Sequence, residues 1–257
     1  MGEAALLNLR LQRSDLQRAT DLISSGDRPA GHWGLAQLRG RLTELVGGSR
    51  SANVSLAVRL ILQAQTEGEF AAWVATHRDV FFPPDVAAAG VDLAALPVIW
   101  ALPAQPDGGL RRGTSESGRR GAPNPRNASG AGRPNGKRGE HGAGRPAREA
   151  VRAAERLLRS GAFGLVVIDL ARDLHLESAA QGRLLRLAEE HDAQVLVLRR
   201  KRKDGRYSGS LVTVRAESSC EQVAPGTFRA TLTNTKDKRE GPGWTTSEEF
   251  DGPSGLY

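Results

Sequence analysis

The chain has 257 residues, of which 39% are apolar, and its 36 basic and 29 acidic residues give a formal net charge of +7. This length allows one large domain or two small ones with a sizeable core. The sequence has no run of 18 apolar residues and no signal-peptide pattern at its start, so it predicts a cytoplasmic protein without a membrane span. The single cysteine, Cys220, excludes an intramolecular disulfide and a cysteine-rich zinc site.

The positive charge is concentrated in two segments. Residues 105–148 hold ten bases and three acids, and residues 199–206 hold six bases and one acid. The rest of the chain carries 20 bases and 25 acids, a net charge of −5. Two basic patches on a mildly acidic body indicate places where an anionic polymer docks.

The first of these segments has the composition of a linker. Eleven of the 44 residues in 105–148 are Gly and five are Pro, and only Leu110 is an apolar side chain larger than Ala. Such a stretch cannot recover the entropy of ordering. We expect residues 105–146 to form a disordered basic insertion, which serves either as a solvated tether or as an arm that contacts DNA.

The hydrophobic pattern predicts alternating helices and strands. In chain order it gives a helix after a capping box at 14–17, a strand at 42–46, a helix around 56–62, a strand at 70–75, a short helix from Pro83, a strand at 98–101, a helix around 150–158, a strand at 165–169, a helix around 184–188, a strand at 195–198, and antiparallel strands at 211–215 and 228–233.

This alternation predicts an α/β fold with a central, mostly parallel sheet flanked by helices, followed by C-terminal antiparallel strands. We expect three parts along the chain: an N-terminal helical segment at 1–39, a core at 40–240 that the insertion interrupts, and a C-terminal tail at 241–257.

A strand, a small-residue loop and a helix, followed later by an apolar strand that ends in Asp169, form the layout of a P-loop nucleotide site. A working loop has the pattern GxxxxGK[ST], in which the Lys reaches the β- and γ-phosphates and the hydroxyl holds Mg²⁺. Residues 47–55 instead have the sequence GGSRSANVS. The first Gly is kept as Gly47, but Ala52 replaces the second Gly, Asn53 replaces the Lys, and Val54 replaces the hydroxyl residue.

These departures weaken nucleotide binding. An alanine held in the left-handed conformation costs about 1–2 kcal/mol, and a lost hydrogen bond to a charged phosphate removes about 1.5–3 kcal/mol. The sequence therefore predicts a degenerate nucleotide site with no cofactor, no metal and no catalytic residue. Its members are Gly47, Gly48, Arg50, Ala52, Asn53, Ser55 and Asp169.

Several short motifs resemble the RecA recombinase core, and they occur in that family's order across most of residues 40–235. They are GRLTELVGGS at 40–49, QAQ at 63–65, EG at 67–68, GVDLAAL at 90–96, QPD at 105–107, LRSGA at 158–162 and VVID at 166–169. The resemblance implies a RecA-like core, in which the insertion begins at the QPD motif.

The chain also departs from that family. The family's catalytic glutamate falls at Arg78 here, and a cation cannot act as a general base. Where the family has a sensor and a long DNA-binding loop after Leu198, this chain has a short basic turn. We expect that turn to contact nucleic acid through Arg199, Arg200, Lys201, Arg202, Lys203 and Arg206.

A RecA-like body with these losses resembles the ImuA type of mutasome accessory protein. The resemblance implies a non-catalytic, nucleoid-associated adaptor in the SOS response that supports mutagenic translesion synthesis. Its implied partners are RecA, an inactive Y-family polymerase homologue, an error-prone polymerase and single-stranded DNA. Lys236 and Lys238 occupy the place where RecA reaches a neighbouring protomer's ATP, so we expect them to face RecA.

Two alternatives remain open. One is a DNA-dependent ATPase with an atypical P-loop that uses Arg50 and Asp169. The other is a cell-division inhibitor of the SulA type, a smaller relative in the same degenerate group.

Overall fold

Helices and strands alternate along the chain. The structure, a computed structural model, describes residues 33–78, 80–102, 144–171, 174–201 and 209–252. The helices are α1 (Leu35–Leu38), α2 (Asn53–Thr66), α3 (Pro83–Ala88), α4 (Arg145–Arg159) and α5 (Ser178–Glu190), with a 3₁₀ turn at Leu93–Ala95. The strands are β1 (Arg41–Gly47), β2 (Phe70–Ala75), β3 (Val98–Trp100), β4 (Phe163–Asp169), β5 (Gln194–Arg200), β6 (Val214–Ala224), β7 (Thr227–Asp237) and β8 (Thr245–Asp251).

The strands form one eight-stranded sheet in the order β3-β2-β4-β5-β1-β6-β7-β8. The first six strands in this order are parallel to their neighbours, and β7 and β8 are antiparallel. Strands β1, β4 and β5 are buried along most of their length, which explains their near-continuous apolar sequences. The predicted α/β class, with a mostly parallel core and C-terminal antiparallel strands, is confirmed.

Helices cover both faces of the sheet. On one face, α1, α2 and α3 share a hydrophobic core with inward side chains of the strands, including Trp73 and Leu196. On the other face, α4 and α5 pack against a second set that includes Ile168 and Val195. Within the described part of the chain, no helix combines the length and the apolar character needed to cross a bilayer.

The last three strands differ from the sequence expectation. Strand β6 begins at Val214, because that is where the chain first pairs with β1 opposite Thr43, and it continues to Ala224. The segment expected as a tail contains β8, which pairs with β7 between Thr227 and Thr233. Beyond Ser218, β6 is no longer paired with β1 itself but stays paired with β7, so β6, β7 and β8 together extend past the end of β1.

Two other expectations fall partly or wholly outside the described residues. The capping box at 14–17 and most of the helical segment 1–39 lie outside them, as does the insertion as far as residue 143. The last two residues assigned to the insertion, Arg145 and Pro146, instead form the first turn of α4, where proline is well tolerated.

Buried ion pairs join the middle of the sheet. The Glu44 carboxylate on β1 accepts hydrogen bonds from Arg199 Nη1 on β5 and Arg215 Nε on β6, both at 2.6 Å. Arg41 donates to Asp237 Oδ2 at 3.0 Å, which joins β1 to β7. Burial opposes ionisation of Asp237, but the amides of Arg239 and Glu240 and the Arg41 guanidinium outweigh it, so its pKa lies below the ordinary value. Removing either acid would leave a buried cation without its counter-charge.

Candidate functional site

The loop that matches a P-loop, residues 47–53, connects the end of β1 to the start of α2. It folds back over the strand end, so a Cβ at Gly47 would collide with the Ser51 side chain and lie 2.9 Å from Asn53 Oδ1. Gly47 is required here by this close approach. Gly48 is exposed, and a Cβ there would meet nothing within 4 Å.

The backbone of the 47–53 loop is hydrogen-bonded to both neighbouring strands. The Gly47 carbonyl accepts from the Lys201 amide at 2.7 Å, and the Arg50 carbonyl accepts from the Cys220 amide on β6 at 3.0 Å. The loop thus continues the pairing of β1 with β6. Ala52 has φ −94° and ψ 17°, so it does not adopt the left-handed conformation expected for the position of the second P-loop glycine. The strain expected at Ala52 is therefore absent.

Asn53, at the position of the phosphate-binding lysine, points into the protein. Its side-chain amide donates to the Leu45 carbonyl on β1 at 3.2 Å and to the Arg199 carbonyl on β5 at 3.0 Å. Its Oδ1 accepts from the Ser218 hydroxyl on β6 at 2.5 Å. The residue is 7% exposed. Asn53 therefore joins the ends of three parallel strands, and both of its amide hydrogens are used inside the protein.

The residues at the other positions of the P-loop pattern lie at the surface of the loop or in the first turn of α2. Val54 is half-buried, and Ser55 is exposed in the first turn of α2. Arg50, the candidate substitute cation, is also exposed, and its backbone carbonyl is held by β6. The sequence places all of these residues on the loop and the helix start, but it does not reveal that the Asn53 side chain is bonded to three strands.

Asp169 ends β4 at the same edge of the sheet as the 47–53 loop. Asp169 and Leu45 are both level with Leu198 of β5, which lies between their strands. Two strand spacings separate their backbones by about 10 Å. Asp169 and the 47–53 loop therefore both border the carboxyl end of β5, on its two sides.

Asp169 is 4% exposed, and its carboxylate contacts one side chain among the described residues. His77 Nε2, just after β2, lies 3.2 Å from Asp169 Oδ1. The other oxygen, Oδ2, is buried without a hydrogen-bond partner among the described residues. No sequence pattern singles out His77 as a site residue. The signal that could have found it is its position two residues beyond β2, the strand that pairs with β4, which places it next to Asp169.

Arg78 is the residue at which the resemblance to RecA would place a catalytic glutamate. Its guanidinium carbon lies 5.2 Å from the centre of the Trp100 ring. Trp100 belongs to an aromatic cluster with Phe81 and Trp73. A cation over an aromatic face contributes about 0.5–1 kcal/mol at an exposed site. Arg78 therefore has a packing partner on β3 and carries no group that could accept a proton from water.

The basic turn after β5 divides into residues with different environments. Arg199 is 6% exposed, and its guanidinium is paired with Glu44. This corrects the prediction that Arg199 contacts nucleic acid, because β5 directs that side chain towards Glu44 on β1. Arg200 is exposed, and Lys201 pairs with Glu217 Oε2 at 2.6 Å on the surface. The other predicted members, Arg202, Lys203 and Arg206, lie outside the described residues.

Lys236 and Lys238 lie at the end of β7, away from the 47–53 loop. Lys236 is directly opposite Arg215, which is opposite Glu44 in the middle of β1. The Lys236 ammonium donates to the Gly209 carbonyl at 3.3 Å and the Ser210 carbonyl at 3.1 Å. Burial lowers its pKa, and the positive charges of Lys238 and Arg215 add to this. Lys238 is exposed, so it is the more available of the two.

Comparison with known proteins gives no family for this chain. No protein-family model matches it, and no curated protein matches its sequence.

We predict that Asn53→Asp destabilises the fold. A carboxylate oxygen would then face the Leu45 and Arg199 carbonyl oxygens, and neither carbonyl would keep the hydrogen bond that the Asn53 amide donates. The expected loss in the free energy of unfolding is about 2–6 kcal/mol, since two lost hydrogen bonds contribute about 0.5–1.5 kcal/mol each and the buried, unpaired carboxylate oxygen costs about 1–3 kcal/mol. Urea unfolding followed by circular dichroism measures this. Ser55→Ala, an exposed change on the same helix turn, is the control and should stay within about 0.5 kcal/mol of wild type. Equal midpoints for Asn53→Asp and wild type would contradict the role assigned to Asn53.

Proposed function

We propose that the chain is a non-catalytic, RecA-like adaptor in the SOS response to DNA damage. In this proposal it supports mutagenic translesion synthesis by binding RecA, an inactive Y-family polymerase homologue, an error-prone polymerase and single-stranded DNA. The observation that carries the proposal is Asn53, whose buried amide joins three strand ends at the position where a phosphate-binding lysine would stand.

The position of the closed loop supports the proposal. Ligands of open α/β sheets bind beyond the carboxyl ends of the parallel strands. At that edge, Asn53 and the Arg50 carbonyl are bonded within the protein. A protein that keeps the layout of a nucleotide site and uses its binding groups internally is suited to act through its surfaces. The order of RecA-like motifs along the chain suggests which partners those surfaces meet.

In this proposal the end of β7 docks on a RecA filament. Lys238 is exposed, and Lys236 beside it is held by two loop carbonyls, so the pair presents positive charge from a fixed position. A terminal RecA protomer with bound ATP would offer a complementary anion. In this chain the side chain at the position of the phosphate-binding lysine is bonded within the protein. The chain would therefore not bind a nucleotide that a further RecA subunit could contact, and the filament would end there.

We predict that Lys238→Glu combined with Lys236→Ala weakens association with RecA filaments by at least about tenfold, which is the effect of about 1.4 kcal/mol. The reason is the loss of the positive charge that meets the terminal ATP. Co-sedimentation with RecA filaments on single-stranded DNA measures the association. Arg59→Glu, on the outer side of α2, is the control and should bind like wild type. Undiminished binding of the double variant would contradict the capping geometry, and no binding of wild type would contradict RecA as a partner.

Single-stranded DNA would bind at the start of the basic turn. Arg200 is directly opposite Gly47 in the sheet, so Arg200 and Lys201 lie beside the 47–53 loop. The ion pair between Lys201 and Glu217 is half-exposed, with side-chain exposures of 48% and 29%, so a phosphate can replace the acid.

We predict that Arg200→Ala combined with Lys201→Ala weakens binding to single-stranded DNA. Loss of two phosphate contacts should reduce the slope of log affinity against log salt by about 1.4. Fluorescence anisotropy with a labelled oligonucleotide measures this. The control is Arg59→Ala with Arg239→Ala, which removes two exposed cations elsewhere. An unchanged slope in the first variant, or an equal change in the control, would show that the turn is not the contact.

One observation favours the alternative of an atypical ATPase. Asp169 Oδ2 is buried and has no hydrogen-bond partner among the described residues, so it could accept a bond from a ligand or bind a cation. We expect no turnover above background in phosphate-release assays with and without single-stranded DNA. Turnover that Asp169→Ala abolishes would replace the adaptor proposal with an enzyme. The control is Asp85→Ala, since Asp85 is an exposed acid on α3.

A further inference from the structure

The outer face of α4 is a row of arginines. Every exposed residue of this helix is an arginine, and there are five: Arg145, Arg148, Arg152, Arg156 and Arg159. Their spacing of three, four, four and three residues keeps them on one side of the helix. We call these five residues the α4 arginine stripe. It lies on the opposite face of the sheet from α2.

The helix that carries the stripe is fixed in the protein. Its apolar side is buried against β2, β4 and α5 through Ala150, Val151, Ala154 and Leu158. The core therefore uses one side of α4 and leaves the arginines on the other. Because the helix is held along its length, the positions of the arginines relative to one another are set before any partner arrives.

Most of the charge on the stripe is available. Arg145, Arg156 and Arg159 form no ion pair with the described residues. Arg148 pairs with Glu177 and Arg152 with Glu149, and the two arginine side chains are 70% and 67% exposed. Exposed ion pairs of this kind contribute about 0–1 kcal/mol to the stability of the fold. A phosphate could therefore replace either acid at little cost.

We propose that the α4 arginine stripe binds the phosphate backbone of duplex DNA without reading its sequence. The stripe spans about 21 Å along the helix axis, a length over which each strand of B-DNA carries about six phosphates. The proposal goes beyond the adaptor function, because it rests only on the exposure and charge of α4.

Two other partners fit the stripe less well. Single strands are usually bound by stacking bases on aromatic side chains as well as by cations, and α4 has no aromatic side chain. A basic amphipathic helix binds a membrane by inserting its apolar side, but here that side is buried in the core. A stripe that contributes charge alone is suited to a rigid, highly charged duplex.

The test uses the full chain and a fluorescein-labelled duplex of about 20 base pairs, with anisotropy titrations from about 50 to 200 mM salt. The variant carries Arg152→Gln, Arg156→Gln and Arg159→Gln. Losing three phosphate contacts should reduce the slope of log affinity against log salt by about 2.7. The affinity should fall at least about tenfold, while the thermal unfolding curve stays like that of wild type, because exposed substitutions change stability little.

The matched control removes the same charge elsewhere, with Arg59→Gln, Arg229→Gln and Arg239→Gln, and it should keep a slope close to that of wild type. The proposal is overturned if wild type does not bind the duplex, if the stripe variant binds it unchanged, or if the control flattens the slope equally. It is also overturned if the variant loses binding only to single strands or to phosphatidylserine vesicles. RecA association should be unchanged in the stripe variant, so this test and that of the adaptor function can fail separately.

Discussion

The side-chain amide of Asn53 determines what the carboxyl edge of the sheet can do. The Leu45 and Arg199 carbonyls near the ends of β1 and β5 each accept a hydrogen bond from this one amide group, which joins the two strands beyond their backbone pairing. Ser218 on β6 completes the arrangement by donating to the same side chain. A lysine at this position could not accept that bond, and its ammonium would have to be desolvated unless it reached the surface. Three strands are thus held together by a group that a phosphate-binding loop would direct towards its ligand.

The buried charges of the sheet reinforce this arrangement. Arg199 is held at both ends, since its carbonyl accepts from Asn53 and its guanidinium donates to Glu44. Arg215 on β6 shares the same carboxylate, so a single acid on β1 connects the strands on either side. Groups that are buried together depend on one another, because removing one leaves an uncompensated charge. The neighbourhood of the 47–53 loop is consequently fixed by contacts within the protein.

The sequence predicts this structure well wherever local pattern decides it. The apolar strands β1, β4 and β5, the helix after the 47–53 loop and the position of Asp169 follow from periodicity and topology. Three features depend on contacts between distant residues. Ala52 avoids the left-handed conformation because the loop is hydrogen-bonded to β6. Arg199 is buried because it pairs with Glu44, which is 155 residues away in the sequence. Strand β8 forms because the edge of β7 is free to pair with it. The sequence of β8, TTSEEFD, is short and polar and has only a weak strand pattern, so composition alone favours a tail. In the structure its residues alternate between exposed and half-buried.

The basic residues therefore differ in role according to the face on which they lie. Arg41, Arg199 and Arg215 are neutralised by acids inside the sheet, whereas the arginines of α4 remain exposed. The distribution of charge along the sequence cannot separate the buried arginines from the exposed ones. The basic segment at 199–206 begins with the buried Arg199, and the basic segment at 105–148 includes only the first two arginines of α4. The buried and the exposed arginines differ in whether the fold places a buried acid next to them. Burial of arginine requires such an acid, and a helix whose buried residues are all apolar leaves its arginines exposed to solvent and to anions.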